Sequence, residues 1–284
     1  MPDSRTDQLV GVLYVVATPI GNLEDMTYRA VRTLKEVDRI ACEDTRVTRR
    51  LCTHFDIETP LLRHDEHNTA KVTPKILNIL GGGRSVALVT DAGTPAISDP
   101  GERLVRAVVL EGFPVVPVPG ASAVIAALSA AGLPTKGFKF HGFVPKKTGE
   151  RRTLWAGLAP GTHALYCPAR DLEKIITELE RSFPETTLAI GRELTKLHES
   201  WYRGTPTQVR QALEEDAHGD RGECVLVLHR IASHGEATDE QILKALRPLL
   251  DGGVRTKHAA AEVAQQFGVP QRRVYQLAIR LSDA

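Results

Sequence analysis

No apolar run in the chain approaches the roughly 20 residues of a membrane span. The opening stretch, MPDSRTDQL, lacks the apolar segment of a secretory signal. Both absences lead us to expect a cytoplasmic protein with no membrane partner. Cysteine is scarce. Cys42, Cys52, Cys167 and Cys224 lie far apart without a C-x-x-C pair. That argues against disulfides and against a metal centre, and for small buried hydrophobes in a reducing compartment. Charge of one sign is missing too. The formal net charge is +1, so no global field advertises nucleic acid. There is no internal repeat and no low-complexity segment. The glycine pattern G-x-G-x-x-G is absent from the end of the first strand, where VVATPIGNLED (15–25) stands instead. Pro19 removes an N–H and stiffens the loop that a pyrophosphate cradle would need.

What is present fits a globular protein: 42% apolar and 25% charged residues over 284 positions, enough for about two domains. The first half alternates β-rich runs (Leu13–Ala17, Arg39–Ala41, Ser85–Thr90, Pro114–Val118) with helical patterns. The helices are expected over Thr27–Glu36, Thr45–Phe55, Val72–Leu80, Gly101–Glu111 and Ala121–Ala131. Such alternation predicts an α/β fold with a parallel sheet covered on both faces. A boundary is expected near Ala131–Lys139. The second half, with strands at Phe138–Phe143, Thr162–Cys167, Thr187–Arg192, His198–Arg203 and Glu223–His229, has fewer crossovers and predicts a mixed sheet. Helices fit Leu172–Arg181 and Pro206–Glu215, and the chain is helical after Arg230. The expected division is an N-terminal α/β domain over 10–131, a second α/β domain over 132–232 and a small C-terminal helical module over 235–284.

The most informative run is VTDAGTPAISDPG (89–101). A strand feeds a loop of small and stiff residues, and a helix is expected to start with Asp99 as N-cap and Pro100 in its first turn. Loops at the carboxyl ends of strands are where open α/β sheets bind ligands. Gly93 and Pro95 set a path on which backbone groups could face a small molecule. The segment VPVPGASAVIAALSAAGLP (116–134) repeats this logic, with Ser122 near a helix N-terminus.

Charged strings offer further candidates. ACEDTRVTRR (41–50) places Glu43, Asp44, Arg46, Arg49 and Arg50 around a strand-to-helix turn. Helix capping explains the acids. The three arginines suit either phosphates or a surface ion-pair face. RELTKLHE (192–199), taken as a strand, would place Arg192, Leu194 and Lys196 on one face. KKTGERR (146–152) reads as a solvated run or as a phosphate-binding one. In the tail, Ala264, Gly268 and Val274 have helix-turn-helix spacing, with Arg272, Arg273 and Tyr275 opening the second helix. A small packing bundle is the alternative.

Several long strings in order, VVATPIGNLED, ACEDTR, DAGTPAISDPG, PGASA, GLPT, GFVPKK and RELTKLHE, resemble the tetrapyrrole methylase superfamily from about Leu13 to His229. Within it they are similar to the branch that acts on small-subunit ribosomal RNA. The resemblance implies a homodimer of two α/β domains with S-adenosylmethionine (SAM) in the cleft between them, no metal, and a cytidine ribose 2′-hydroxyl of the small-subunit (16S) rRNA as methyl acceptor. It implies cofactor contacts at Pro19, Gly93, Thr94, Ile97, Ser122, Ala123, Cys167 and Leu194. RNA contacts are expected at Arg46, Arg49, Arg50, Lys146, Lys147, Arg151 and Arg152. Candidates for the group that takes the hydroxyl proton are Glu43, Asp44 and Lys196. The chain departs from the family pattern with Thr69 after His67-Asn68, with CPAR at 167–170 and with HES at 198–200. Two rival readings are a methylase acting on a porphyrin-like ring and a non-catalytic nucleic-acid-binding protein.

Overall fold

The computed structural model describes residues 10–231, 237–267 and 269–282. Packing divides the chain into two units. One runs to Ala127 and takes in Arg192–Ser200; the other comprises Leu128–Gly191 and the chain from Trp201 onward.

The first unit is built on five parallel strands: β1 (Leu13–Val16), β2 (Arg39–Cys42), β3 (Leu61–Arg63), β4 (Val86–Leu88) and β5 (Val115–Val118), in the order β3-β2-β4-β1-β5. Helices α1 (Tyr28–Glu36), α2 (Thr45–His54), α3 (Thr69–Gly81) and α4 (Glu102–Leu110) make the crossovers, and α5 (Ala123–Ala130) follows β5. The central strands β1 and β4 are apolar throughout because both faces are covered, and the arginines Arg39 and Arg63 stand only at the ends of β2 and β3. Tyr14, Val16, Ile40, Cys42, Ala87 and Val89 pack with Ala30 and Leu34 of α1 and Cys52 of α2. Their sequence neighbours Leu13, Ala41, Val86 and Leu88 turn the other way, onto Val72, Ile76 and Leu80 of α3 and Leu104 and Val108 of α4. Strand β3 escapes the sequence reading because three residues after Pro60 show no period. Helix α4 starts later than expected. Its N-cap is Gly101, at a φ of 137°, and Asp99 and Pro100 lie in the preceding turn.

The second sheet holds β6 (Phe138–Phe143), β7 (Gly161–Pro168), β8 (Thr187–Arg192), β9 (Ser200–Gly204) and β10 (Glu223–Arg230), in the order β6-β7-β10-β8-β9. β7 runs parallel to β6 and antiparallel to β10, so the sheet is mixed, as expected. Its core gathers Leu165, Cys167, Leu188, Ile190, Leu226 and Leu228 beneath α6 (Thr148–Ala156), α7 (Leu172–Ser182) and α8 (Pro206–Glu215). All four cysteines are buried thiols.

Helix α6 takes up most of the basic run KKTGERR, and it corrects the assignment of Arg151. That side chain is only 4% exposed. Its Nη2 lies 2.8 Å from Glu178 Oε1, and its Nη1 donates to the carbonyls of Pro145 and Lys146. Trp155 Nε1 donates to the same carboxylate at 2.9 Å. Arg151 is therefore a structural cation with no valence left for a phosphate.

RELTKLHE is likewise not a strand. β8 ends at Arg192 and β9 begins at Ser200. Between them the chain turns, with Glu193 and Thr195 at φ of 51° and 67°. The odd-even argument that put Arg192, Leu194 and Lys196 on one strand face does not apply.

The tail forms α9 (Asp239–Asp251), α10 (Thr256–Phe267) and α11 (Gln271–Ser282) around a core of their own, including Ile242, Leu246, Ala260, Val263, Ala264 and Val274. Gly268, the expected turn glycine, and the expected boundary near 232–235 lie outside the described residues. No helix among the described residues is long and apolar enough to cross a membrane, and these residues contain no cluster fit to hold a metal ion.

Candidate functional site

The order β4-β1-β5 puts three loops side by side at the carboxyl edge of the first sheet. Hydrogen bonds tie them together. Thr18, after β1, and Gly93, after β4, exchange both backbone bonds at 2.9 and 3.1 Å. Thr18 Oγ1 also donates to the carbonyl of Thr90 at 3.1 Å. Thr94 Oγ1 donates to the carbonyl of Ala121, after β5, at 3.1 Å. Thus the N–H and C=O of Gly93 serve the loop itself, not a ligand. Its role is to reach a φ of 82°, a backbone conformation that would strain any residue with a side chain.

The sequence-derived candidates of this unit fall into place around that staple. Pro19 is buried beside Thr18, Thr94 bridges two loops, and Ile97 is exposed. Ser122 and Ala123 open α5, where the first N–H groups of a helix have no intrahelical partner. Ala96 and Ser98 hold left-handed φ values of 67° and 63°, a strain that tends to mark functional loops. Leu194 is buried in the turn after β8. Lys196 lies over Gly21, where a Cβ would sit 2.4 Å from Lys196 Cγ, and its Nζ pairs with Glu193 at 2.9 Å. Cys167 belongs to the second unit. Its side chain is in the core, and its backbone is in register with Cys224.

A second feature adjoins the staple. Glu43 follows β2, while Asp91 and Asp99 lie in the loop after the neighbouring β4. The backbone N–H of Asp44 donates to Asp91 Oδ1 at 3.2 Å, tying the two loops. Burial, and then the charge of Asp91, raise Glu43 above the usual carboxylate range. Burial, followed by the charge of Glu43, pushes Asp99 up to about 6. Asp44 behaves oppositely. It caps α2 by accepting from Arg46 N at 2.8 Å, and the Arg46 guanidinium, 2.6 Å from Oδ2, holds its carboxyl low. Asp91 and Asp99 were visible in the string DAGTPAISDPG, but only their closeness to Glu43 across two strands gives them interest.

Of the cations, Arg46, Arg49 and Arg50 are exposed on α2, with Arg46 engaged by Asp44. Lys146, Lys147 and Arg152 are exposed around the start of α6, with Lys147 paired to Glu150. In the tail, Arg273 is held by Asp239 at 2.6 Å and by the carbonyl of Ala237, so it staples the module, whereas Arg272 and Tyr275 are exposed.

A stapled set of glycine-proline loops at the carboxyl edge of a parallel α/β sheet, with a mixed α/β sheet in the following unit, defines a class of two-sheet ligand-binding enzymes. Residues 12–210 match the family described as Tetrapyrrole (Corrin/Porphyrin) Methylases, and the chain belongs to that family. Residues 236–282 match the RsmI C-terminal HTH domain. Among curated relatives, Ribosomal RNA small subunit methyltransferase I of Halalkalibacterium halodurans is 41% identical over 282 residues, covering 94% of each chain. The protein of the same name from Neisseria meningitidis serogroup A is 42% identical over 278 residues, covering 96% of this chain and 95% of that one. Among solved structures, uroporphyrin-III-C-methyltransferase from Thermus thermophilus is similar in fold, with a TM-score of 0.54 and 23% identity over 77% of this chain and 94% of that one. A cobalt precorrin-4 methyltransferase gives a TM-score of 0.56 at 19% identity over the same shares.

Proposed function

We infer that this chain is a SAM-dependent methyltransferase that methylates the ribose 2′-hydroxyl of a cytidine in small-subunit rRNA. The observation that carries this reading is the stapled loop set on a chain about 40% identical, over nearly its whole length, to rRNA small subunit methyltransferases I. A Thermus thermophilus neighbour of similar fold is described as complexed with S-adenyl homocysteine, the demethylated form of SAM. The residues fit such a ligand. Gly93 and Gly120 leave out side chains at close loop contacts, and Ser122 and Ala123 offer N–H groups at a helix start. Pro19, Thr94, Ile97 and Leu194 complete the proposed contacts, with the backbone at Cys167 meeting the adenosine as the resemblance implies.

When bound, SAM supplies a methyl carbon already activated by its sulfonium. The chain must then position a ribose hydroxyl in line with that carbon, which is worth much of the acceleration. A base that accepts the hydroxyl proton helps further. Among the expected bases, Glu43 is favoured over Asp44, because burial and the charge of Asp91 make its carboxylate the more basic of the two, while that of Asp44 is spent on a cap and on Arg46. Lys196, paired with Glu193, is better suited to hold charge than to accept a proton. Arg49, Arg50, Lys146, Lys147 and Arg152 are proposed to meet RNA phosphates, with Arg46 joining them if its pairing to Asp44 opens. The helical module is proposed to assist, through Arg272 and Tyr275. We place the protein in the cytoplasm, as a homodimer.

The test is a calorimetric titration with SAM followed by labelled methyl transfer to isolated small ribosomal subunits. SAM binding with transfer to subunits is the expected result. Transfer to a porphyrin-like ring, or RNA binding without SAM affinity, would refute it.

A further inference from the structure

We infer that the edge strand β6 carries a stacking platform for the bases of single-stranded RNA, built from Phe138, Phe140, Phe143 and Tyr166. The inference rests on the proposed RNA substrate. β6 ends the second sheet, with β7 as its one neighbour in the strand order. In the string FKFHGF, strict alternation would set Phe138 and Phe140 on one face and Phe143 on the other. The pairing slips instead. Phe140 is opposite Ala164, yet Phe143 is opposite Tyr166, so three steps on β6 match two on β7. The extra residue is accommodated at His141–Gly142, where Gly142 takes a φ of 70°. Such a bulge re-aims the side chains beyond it. Here it returns Phe143 to the face of Phe138, Phe140 and Tyr166.

The rings meet edge to face. Phe140 and Phe143 lie with centroids 5.0 and 5.3 Å from that of Tyr166. Phe143 is 62% and Phe138 43% exposed. Residues on the other side of β7, Leu165 and Cys167, belong to the core, so the aromatic strip is not part of that core. Scattered exposed apolar residues need no explanation, but a row of rings set by a bulge is more than scatter.

Charge identifies the occupant. Between Lys136 and Arg152 the chain has six cations and one acid, Glu150. Arg151 and Lys147 are engaged by Glu178 and Glu150, and Lys136, Lys139, Lys146 and Arg152 are exposed. Flat apolar faces flanked by cations suit a polyanion whose bases are unpaired. A second copy docking strip to strip would set these cations against their own images.

Phe143 is exposed, so Phe143→Ala and Phe143→Trp should both fold. We measure binding of a single-stranded ribo-oligonucleotide, SAM affinity and sedimentation. Phe143→Ala should weaken oligonucleotide binding by roughly five- to a hundredfold, the range of one lost base stack. SAM affinity and oligomeric state should stay as in the wild type. Phe143→Trp should keep the affinity, with its added emission quenched on binding. Wild-type RNA affinity in Phe143→Ala would overturn the inference. A variant that shifts the sedimentation pattern would also overturn it, by giving the strip to a second copy. If the wild-type protein binds the oligonucleotide and Phe143→Trp shows this quench, but the wild type transfers no methyl to subunits, the proposed function falls and the platform stands.

Discussion

Both units hold ion pairs, but they differ in the acids that have no cation beside them. In the second unit, charged groups close on each other. Arg151, Glu178 and Trp155 form one set, Arg210, Glu180 and Thr207 another, and Tyr202 donates to Asp216 at 2.6 Å. In the first unit, Glu43, Asp91 and Asp99 crowd together with raised carboxyls. All five non-glycine residues at positive φ among the described residues lie in the first unit, and four of them, Ala96, Ser98, Glu193 and Thr195, lie in two of its loops. Closed pairs stabilise a fold. Crowded acids and strained loops are retained at a cost, which is characteristic of sites.

The largest expected effect comes from opening a closed set. Glu178→Ala leaves Arg151 buried without its partner and should cost about 3–5 kcal/mol in urea unfolding. SAM binding by the protein that remains folded should not change. Glu43→Ala, by contrast, removes a disfavoured charge and should leave stability level or slightly raised while methyl transfer falls. Equal stability losses in the two variants would erase the distinction between the units.

Next in size is Gly93→Val. Its strained backbone should cost about 1–3 kcal/mol and loosen the bond pair with Thr18. SAM affinity, measured by calorimetry, should fall about tenfold, which corresponds to 1.4 kcal/mol. Unchanged affinity in the folded variant would remove the stapled loops from the cofactor site.

Acid should separate the units further. His141, His163 and His229 are lowered, chiefly by burial, so the folded second unit binds fewer protons than the unfolded chain. Its stability should drop as pH falls below the unfolded histidine value of about 6.5. In the first unit, buried His64 acts the same way. Asp99 opposes it. Raised from 3.8 to about 6, it contributes stability that is full below 3.8 and lost as pH rises through 6. Asp44 and Asp65, both lowered from 3.8, titrate below this window. Hydrogen exchange from pH 6.5 to 4.5 should therefore show a steeper loss of protection in the second unit. Asp99→Asn should steepen the first unit's loss toward that of the second.

Much of this architecture is legible from local pattern. Apolar runs and helical periods located β1, β2, β4 and β5, and the ends of β8 and α8 fall where expected. The glycine-proline loops were visible because these residues constrain the backbone through their own covalent structure. What was hidden depends on distant partners. KKTGERR gave no sign that Arg151 would meet Glu178, 27 residues on. Nothing in RELTKLHE marks Glu193 and Thr195 as left-handed, since neither is glycine. The carboxyl cluster likewise exists only because β2 and β4 are neighbours.

The smallest expected effect is at the surface. Arg49→Glu with Arg50→Glu should reduce the salt dependence of subunit binding by about one unit of slope per lost phosphate contact, with SAM affinity retained. Loss of SAM affinity without unfolding would move these arginines from the RNA to the cofactor or the fold.

The most direct measurement locates the methyl group. Small subunits incubated with the protein and labelled SAM are digested to nucleosides and resolved by mass. Label is expected in 2′-O-methylcytidine, lost in Gly93→Val and reduced in Glu43→Ala. Label on a base, or none on rRNA while SAM is bound, would contradict it.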